Sequence, residues 1–217
     1  DSYSEFWRES VQAIVTVKPL SDNSYYMQLD DSTTLFPTNS YMPENLKEIR
    51  AFVIYKNDDK KTEGYDQSVQ LLRMDTLLTK QVAPDLGAEN DSYYGTDMLA
   101  LNGGSIWSKS GVWIEDGYIT FDFYIQRGYN DNVKHFINLV QTNSADPYEL
   151  EFRHNAYGNI DSSLRPSAGL VSFKLDKLPS TEGKTVKLKI KYKSFVSNDY
   201  NTVELDYKSK DTEDTEE

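Results

Sequence analysis

Tyr25-Tyr26-Met27-Gln28-Leu29-Asp30-Asp31-Ser32-Thr33-Thr34-Leu35-Phe36-Pro37-Thr38-Asn39 decides how the first half of the chain folds. Aromatic, apolar and β-branched residues flank an Asp-Asp-Ser centre, so the stretch reads as two short strands joined by a turn. Pro37 stops the second strand. A turn centred on Asp31-Ser32 places Met27 and Phe36 on one face, whereas a turn one residue earlier pairs Tyr26 with Leu35. Both registers remain open at this level. The Asp30-Asp31 pair is also a candidate ligand contact, because a hard cation such as Ca²⁺ takes about 6–8 oxygen ligands. No EF-hand spacing accompanies it, and solvated turn carboxylates are the simpler account.

Outward from this hairpin the pattern stays β. Residues 12–18 alternate, with Ala13, Val15 and Val17 on one face, and Pro19 ends the run. Residues 50–55 are almost continuously apolar, as in a strand covered on both faces. Residues 56–64 form a charged turn, and 68–78 read as a long final strand. Five strands with a break between the third and fourth form the pattern of an OB-type small barrel, which spans residues 1–82.

Residues 83–97 change character, with Pro84, Gly87, Asn90, Asp91, Ser92 and Gly95, and read as a linker. A second β domain follows over 98–210. Its strongest signal is Val112-Trp113-Ile114-Glu115-Asp116-Gly117-Tyr118-Ile119-Thr120-Phe121. Asp-Gly as a two-residue type I′ turn sets Ile114 opposite Ile119 and Val112 opposite Phe121, which gathers them on one core face with Phe123. Further strands fall at 136–140, 148–152, 170–175, 185–192 and 202–207, the spacing of an immunoglobulin-like β-sandwich. In the fourth of these runs Val186, Leu188, Ile190 and Tyr192 alternate with Lys187, Lys189, Lys191 and Lys193. The lysines mark a wet face, with Glu204 and Asp206 as expected cross-strand partners. The acidic stretch 211–217 reads as a disordered tail.

The chain has 217 residues, a formal charge of −12 and no cysteine. That charge disfavours nucleic acid, whose binding rests on counterion release by Lys and Arg. It equally disfavours adsorption to an anionic membrane surface. Without cysteine there is no disulfide and no thiolate nucleophile or ligand. No run is long and apolar enough to span a bilayer as a helix.

The chain resembles the NigD-like proteins, envelope lipoproteins of Bacteroidetes. The resemblance rests on Val15-Thr16-Val17-Lys18-Pro19, the opening run, Leu77-Leu78-Thr79-Lys80, Glu115-Asp116-Gly117-Tyr118 and His135-Phe136-Ile137-Asn138-Leu139-Val140. It also rests on Asp146-Pro147-Tyr148-Glu149-Leu150-Glu151-Phe152-Arg153-His154-Asn155-Ala156 and on residues 186–195. It implies an N-terminal OB domain and a C-terminal β-sandwich, in agreement with the strand pattern. It further implies a cell-envelope lipoprotein anchored through a cysteine that lies outside these residues, with 1–7 as the remnant of a tether. The family takes its name from a bacteriocin operon, and no site residues carry over.

Catalytic signals are sparse. His135 and His154 are the two histidines of the chain, and neither belongs to a His-Glu-x-x-His run. His154 is a candidate proton-transfer or polar recognition residue, with a strand-end histidine bonded to a loop as the plainer alternative. There is no Gly-x-Ser-x-Gly elbow, and no cofactor is expected. The chain has 16 tyrosines, several at turn or loop positions. Tyr93 and Tyr94 in the linker read either as partner contacts or as interdomain packing, since exposed aromatics beside polar groups serve recognition. The expectation is a non-catalytic protein that binds a protein or envelope component. A glycan-binding accessory protein is the alternative, and a hydrolase using paired carboxylates comes third.

Overall fold

Alternation along β1 (Ser10–Pro19) turns Ala13, Val15 and Val17 inward, and four further strands supply the other walls: β2 (Tyr25–Gln28), β3 (Thr34–Pro37), β4 (Ile49–Asn57) and β5 (Gln67–Thr76). They close into a barrel in the order β1-β2-β3-β5-β4, with β1 paired to both β2 and β4. Closure leaves no free edge, and the interior fills with Met27, Leu35, Ala51, Val53, Tyr55, Val69 and Leu71. Ile54 is buried as well, as a strand covered on both faces requires. The OB-type reading holds. The computed structural model describes residues 9–142 and 144–210, so the tether at 1–7 and the tail at 211–217 lie outside the described residues.

The hairpin takes neither expected register: Met27 faces Leu35 and Gln28 faces Thr34. The cause is the Asp30 side chain. Its Oδ1 accepts the backbone N–H of Ser32 at 2.9 Å and of Thr33 at 2.7 Å, while Leu29 N–H donates to the Thr33 carbonyl at 2.8 Å. An odd-numbered tip, Asp30-Asp31-Ser32, results, and it shifts the pairing by one residue from either even-numbered alternative. Phe36 therefore leaves the face of Met27 and packs its ring 4.8 Å from that of Tyr65.

The chain divides at Thr79/Lys80 into two units. The run expected as one strand over 68–78 ends at Thr76, and β6 (Leu78–Gln81) joins the sheet of the second unit. The other strands there are β7 (Leu99–Leu101), β8 (Val112–Glu115), β9 (Tyr118–Ile125), β10 (Phe136–Gln141), β11 (Glu149–Asn155), β12 (Ser167–Lys174), β13 (Val186–Ser194) and β14 (Asp199–Tyr207). They form a nine-stranded sheet in the order β10-β11-β13-β7-β9-β12-β6, with β14 on β13 and β8 on β9. β13 runs parallel to both β11 and β7.

The Asp116-Gly117 turn is as read: φ is 52° and 74°, and Val112 faces Phe121 while Ile114 faces Ile119. The wet face also matches, with Lys187 paired to Asp206 at 2.6 Å and Lys189 opposite Glu204. Lys191 places its Nζ 4.5 Å from the centre of the Tyr200 ring.

Phe152 of β11 shows how this sheet makes a sandwich. Its ring stacks on Phe121 of β9 at 4.0 Å and meets Phe123 and Phe173 edge-on. β11 and β9 stand three places apart in the sheet, which in a flat sheet is about 14 Å. Stacked rings therefore require the sheet to fold over its own apolar face. Its two ends also meet, since Ala83 donates to the Leu139 carbonyl at 2.8 Å and accepts from Gln141 at 2.9 Å.

Residues 83–97, read as a linker, belong to this unit. They carry a 3-10 turn (Gly87–Glu89) and a short helix, α1 (Asn90–Tyr94). Tyr94 is buried and donates to the Pro84 carbonyl at 2.7 Å. Arg153 of β11 clamps the segment through Asp91 at 2.9 Å and the Gly95 carbonyl at 3.0 Å. Composition marked a break in periodicity; specific polar contacts still dock the segment. Because Phe152 is the hub of the core, Phe152→Ala should lower unfolding stability by about 3–5 kcal/mol. Urea denaturation tests this, and a loss below about 1 kcal/mol would rule out the hub role.

Candidate functional site

β10 and β11 pair antiparallel with Phe136 opposite Asn155, so one strand starts where the other ends. Two loops leave this end of the sandwich: 127–134 after β9, and 156–161 after β11. Gly128 N–H donates to the Asn159 carbonyl at 2.8 Å, and Asp161 N–H donates to the Arg127 carbonyl at 3.3 Å. The Asn159 side chain fastens them again, its Nδ2 donating to the Asn130 carbonyl at 2.9 Å and its Oδ1 accepting from Asn130 N–H at 3.3 Å. A Cβ at Gly128 would collide with the Asn159 amide, so only glycine permits this approach.

These elements hold out a set of apolar side chains: Tyr129 is 77% exposed, Tyr157 58%, Phe136 45% and Ile160 40%. The rings of Phe136 and Tyr157 meet edge-to-face at 5.8 Å. Tyr93, 65% exposed on α1, is tied to the same strand end where Asn155 Nδ2 donates to its carbonyl at 3.2 Å. Exposed aromatics on mutually bonded loops form a surface suited to binding.

Tyr157 is the unusual member. Ala156 to Asn159 form a tight turn, closed by Asn159 N–H donating to the Ala156 carbonyl at 3.0 Å, with φ of 49° at Tyr157 and 77° at Gly158. Positive φ at both central positions is the type I′ geometry, which favours Asn, Asp or Gly. Among the described residues the other non-glycine residues at positive φ are Asn23, Asp116, Glu182 and Asn198. An aromatic residue in this conformation costs about 1–2 kcal/mol. Tyr157 offsets that cost with little burial. A residue that is both strained and exposed points to a use outside the fold.

Behind Phe136 sits a pairing that linear spacing hid. The β10–β11 register brings the His135 and His154 rings together, Nδ1 to Nε2, at 2.8 Å. The tautomers follow from their surroundings. His154 Nδ1–H donates to the Met98 carbonyl at 2.9 Å, which leaves Nε2 to accept from His135 Nδ1–H. His135 Nε2 then accepts from Asn159 Nδ2 at 3.4 Å. Both rings are neutral in this chain of bonds. Burial is the main cause that holds each pKa below the ordinary 6.5; Arg127 reinforces it at His135, and the Asp97 carboxylate opposes it at both rings.

The expected site residues therefore separate. Tyr93 and His154 belong to this end of the sandwich. Tyr94 is a buried anchor rather than a contact surface, because it is 3% exposed and its hydroxyl is bonded to the Pro84 carbonyl. Asp30 and Asp31 lie in the other unit. Asp30 caps its own turn, and the backbone bond from Ser32 holds its carboxyl below the usual range. Among the described residues no three His, Cys, Asp or Glu side chains are grouped to hold a metal. Phe136 and Asn159 carry no site signal in the sequence, and Tyr129 and Tyr157 stand out there only as two of many tyrosines, ten of which are too many for the cores alone. The Tyr-Gly dipeptide at 157–158 is compatible with a turn, but nothing linear joins it to 127–134.

The two units define a two-domain all-β protein, an OB barrel followed by a β-sandwich. The chain belongs to the NigD-like family: the NigD-like N-terminal OB domain matches residues 14–77 and the NigD-like C-terminal beta sandwich domain matches residues 81–211. Among solved structures it is similar to a provisionally described toxin-related protein of Parabacteroides distasonis, at 34% identity and TM-score 0.79 over 92% of this chain and 94% of that one. The fold is shared with a NigD-like immunity protein of Bacteroides caccae, at 17% identity and TM-score 0.62 over 90% and 91%. It is shared as well with a provisionally described lipoprotein of Bacteroides fragilis, at 14% and 0.61 over 93% and 100%. No curated protein matches the chain.

Two outcomes follow from the geometry. Tyr157→Asn should raise unfolding stability by about 1 kcal/mol, read as a higher urea midpoint; an unchanged or lower midpoint would show that the tyrosine is not strained. As pH falls, the unfolded chain takes up protons at the two histidines before the folded one does. Their contribution is thus complete above 6.5 and is lost as pH drops through 6.5 towards the lower folded values. Thermal melts across that range should show the fall, and His154→Gln should flatten it.

Proposed function

We propose that this chain is a non-catalytic protein of the bacterial cell envelope that holds a protein partner on the aromatic end of its sandwich unit. Tyr157 is the observation that carries the reading: a solvent-exposed ring is kept in a left-handed backbone conformation, among neighbours fixed by loop-to-loop hydrogen bonds. Rigid aromatics of this kind are typical anchors of protein interfaces. The adjoining histidines are not set up as a nucleophile-activating pair, since His154 has both ring nitrogens engaged within the protein.

The relatives support the same direction. The toxin-related description in Parabacteroides distasonis and the immunity-protein description in Bacteroides caccae are compatible with a binding role. The lipoprotein description in Bacteroides fragilis supports an envelope location.

Capture from Bacteroides or Parabacteroides envelope extract on the immobilised full chain tests the reading. A protein retained by the native sequence should bind Tyr157→Asn at least about tenfold more weakly, as loss of an anchor predicts. Equal retention by both, or binding only to polysaccharides in a parallel panel, would overturn it.

A further inference from the structure

The aromatic platform rests on a hydrogen-bond chain that reads in one direction: Asn159 Nδ2 to His135 Nε2, His135 Nδ1 to His154 Nε2, and His154 Nδ1 to the Met98 carbonyl. Each donor meets an acceptor only while both rings are neutral. The orientation of Asn159 is not free, because its Nδ2 and Oδ1 are matched to the carbonyl and N–H of Asn130 across the loops. One amide therefore does two jobs. It ends the histidine chain and fastens loop 127–134 to loop 156–161.

Resting on the reading of this end as a binding surface, we propose that protonation of His135 unfastens the two loops and makes the platform a proton-controlled binding site, closed for use near neutral pH and loosened in acid. The first proton goes to His135. Its Nε2 has the weaker existing contact, at 3.4 Å, and charging it leaves the bond from Nδ1 to His154 intact. Charging His154 would instead bring two N–H groups face to face. With Nε2 protonated, His135 presents a donor to the Asn159 Nδ2 donor, and the amide cannot turn without giving up both bonds to Asn130.

The groups that face the pair come from each element around it. They are His154 on β11, Arg127 at the start of the first loop, Asp97 before β7, and the Asn159 amide and carbonyl. Arg127 disfavours the charged ring. Asp97 and the Asn159 carbonyl favour it, but Asp97 already accepts Ala156 N–H at 2.7 Å and the Asn159 carbonyl already accepts Gly128 N–H at 2.8 Å. That carbonyl has a second lone pair and can take a bond from His135 beside the Gly128 contact, so the fastening that protonation opposes is the one made by the Asn159 side chain.

Amide hydrogen exchange on the full chain, without any partner, provides the test. After correction for intrinsic rates, protection of Gly128 and Asn130 should fall about tenfold or more between about pH 7.5 and about pH 5.5. The amides of β9 and β12 should keep theirs. His135→Gln, which carries no titrating ring, should show no such fall, and the ring proton signals of His135 should move before those of His154. Constant loop protection in the native chain, or an equal loss in His135→Gln, would overturn the switch. Because no partner enters the measurement, a failed capture experiment would count against the binding reading and not against the switch.

Discussion

The contact between Phe152 and Phe121 is the constraint on which the second unit depends. Two rings stacked at 4.0 Å join strands that stand three places apart in one sheet, so the sheet must bend until its apolar face closes on itself. A chain with 16 Tyr, 9 Phe and 3 Trp can build its core this way because each buried ring removes about 150–250 Å² from water. Phe123 and Phe173 meet the same ring, and the small space left around Gly169 is taken up by Phe123.

That contact also has a consequence at the surface. β9 and β11 are held against each other across the core, and the loops that follow them emerge side by side at one end. Their mutual hydrogen bonds through Gly128, Asn130 and Asn159 are local events, but the core brings the partners within reach. A strained Tyr157 persists there because the scaffold over-determines its turn. Stability is given up at one exposed position and held elsewhere.

How much was legible depended on whether the information was local. Asp116-Gly117 specified its turn, register and core face together, since an Asp-Gly pair adopts positive φ at both positions without help. The Tyr25–Asn39 run specified a hairpin but not its register, because one side chain, Asp30, capped the tip and changed its residue count. Residues 83–97 looked like a linker by composition. Tyr94 ties them down locally through Pro84, and the Asp91–Arg153 ion pair does so across 62 positions of sequence. The short strands β6 and β7, of four and three residues, carry too little periodicity to be seen. His154 and Tyr93 were named as candidates, yet the His135 contact that makes His154 interesting came from strand pairing.

By itself, the sequence determined that this is an all-β chain in two parts, acidic, with an OB barrel first and a sandwich second. Alternation, turn chemistry and charge are properties of neighbouring residues, and they survive in one dimension. Only the tertiary structure decided that the loops at 127–134 and 156–161 become one surface, through strand order and core packing. It also decided what His135 and His154 do. An imidazole takes its tautomer and its charge from whatever faces each ring nitrogen, and for this pair those groups come from four separate segments of the chain.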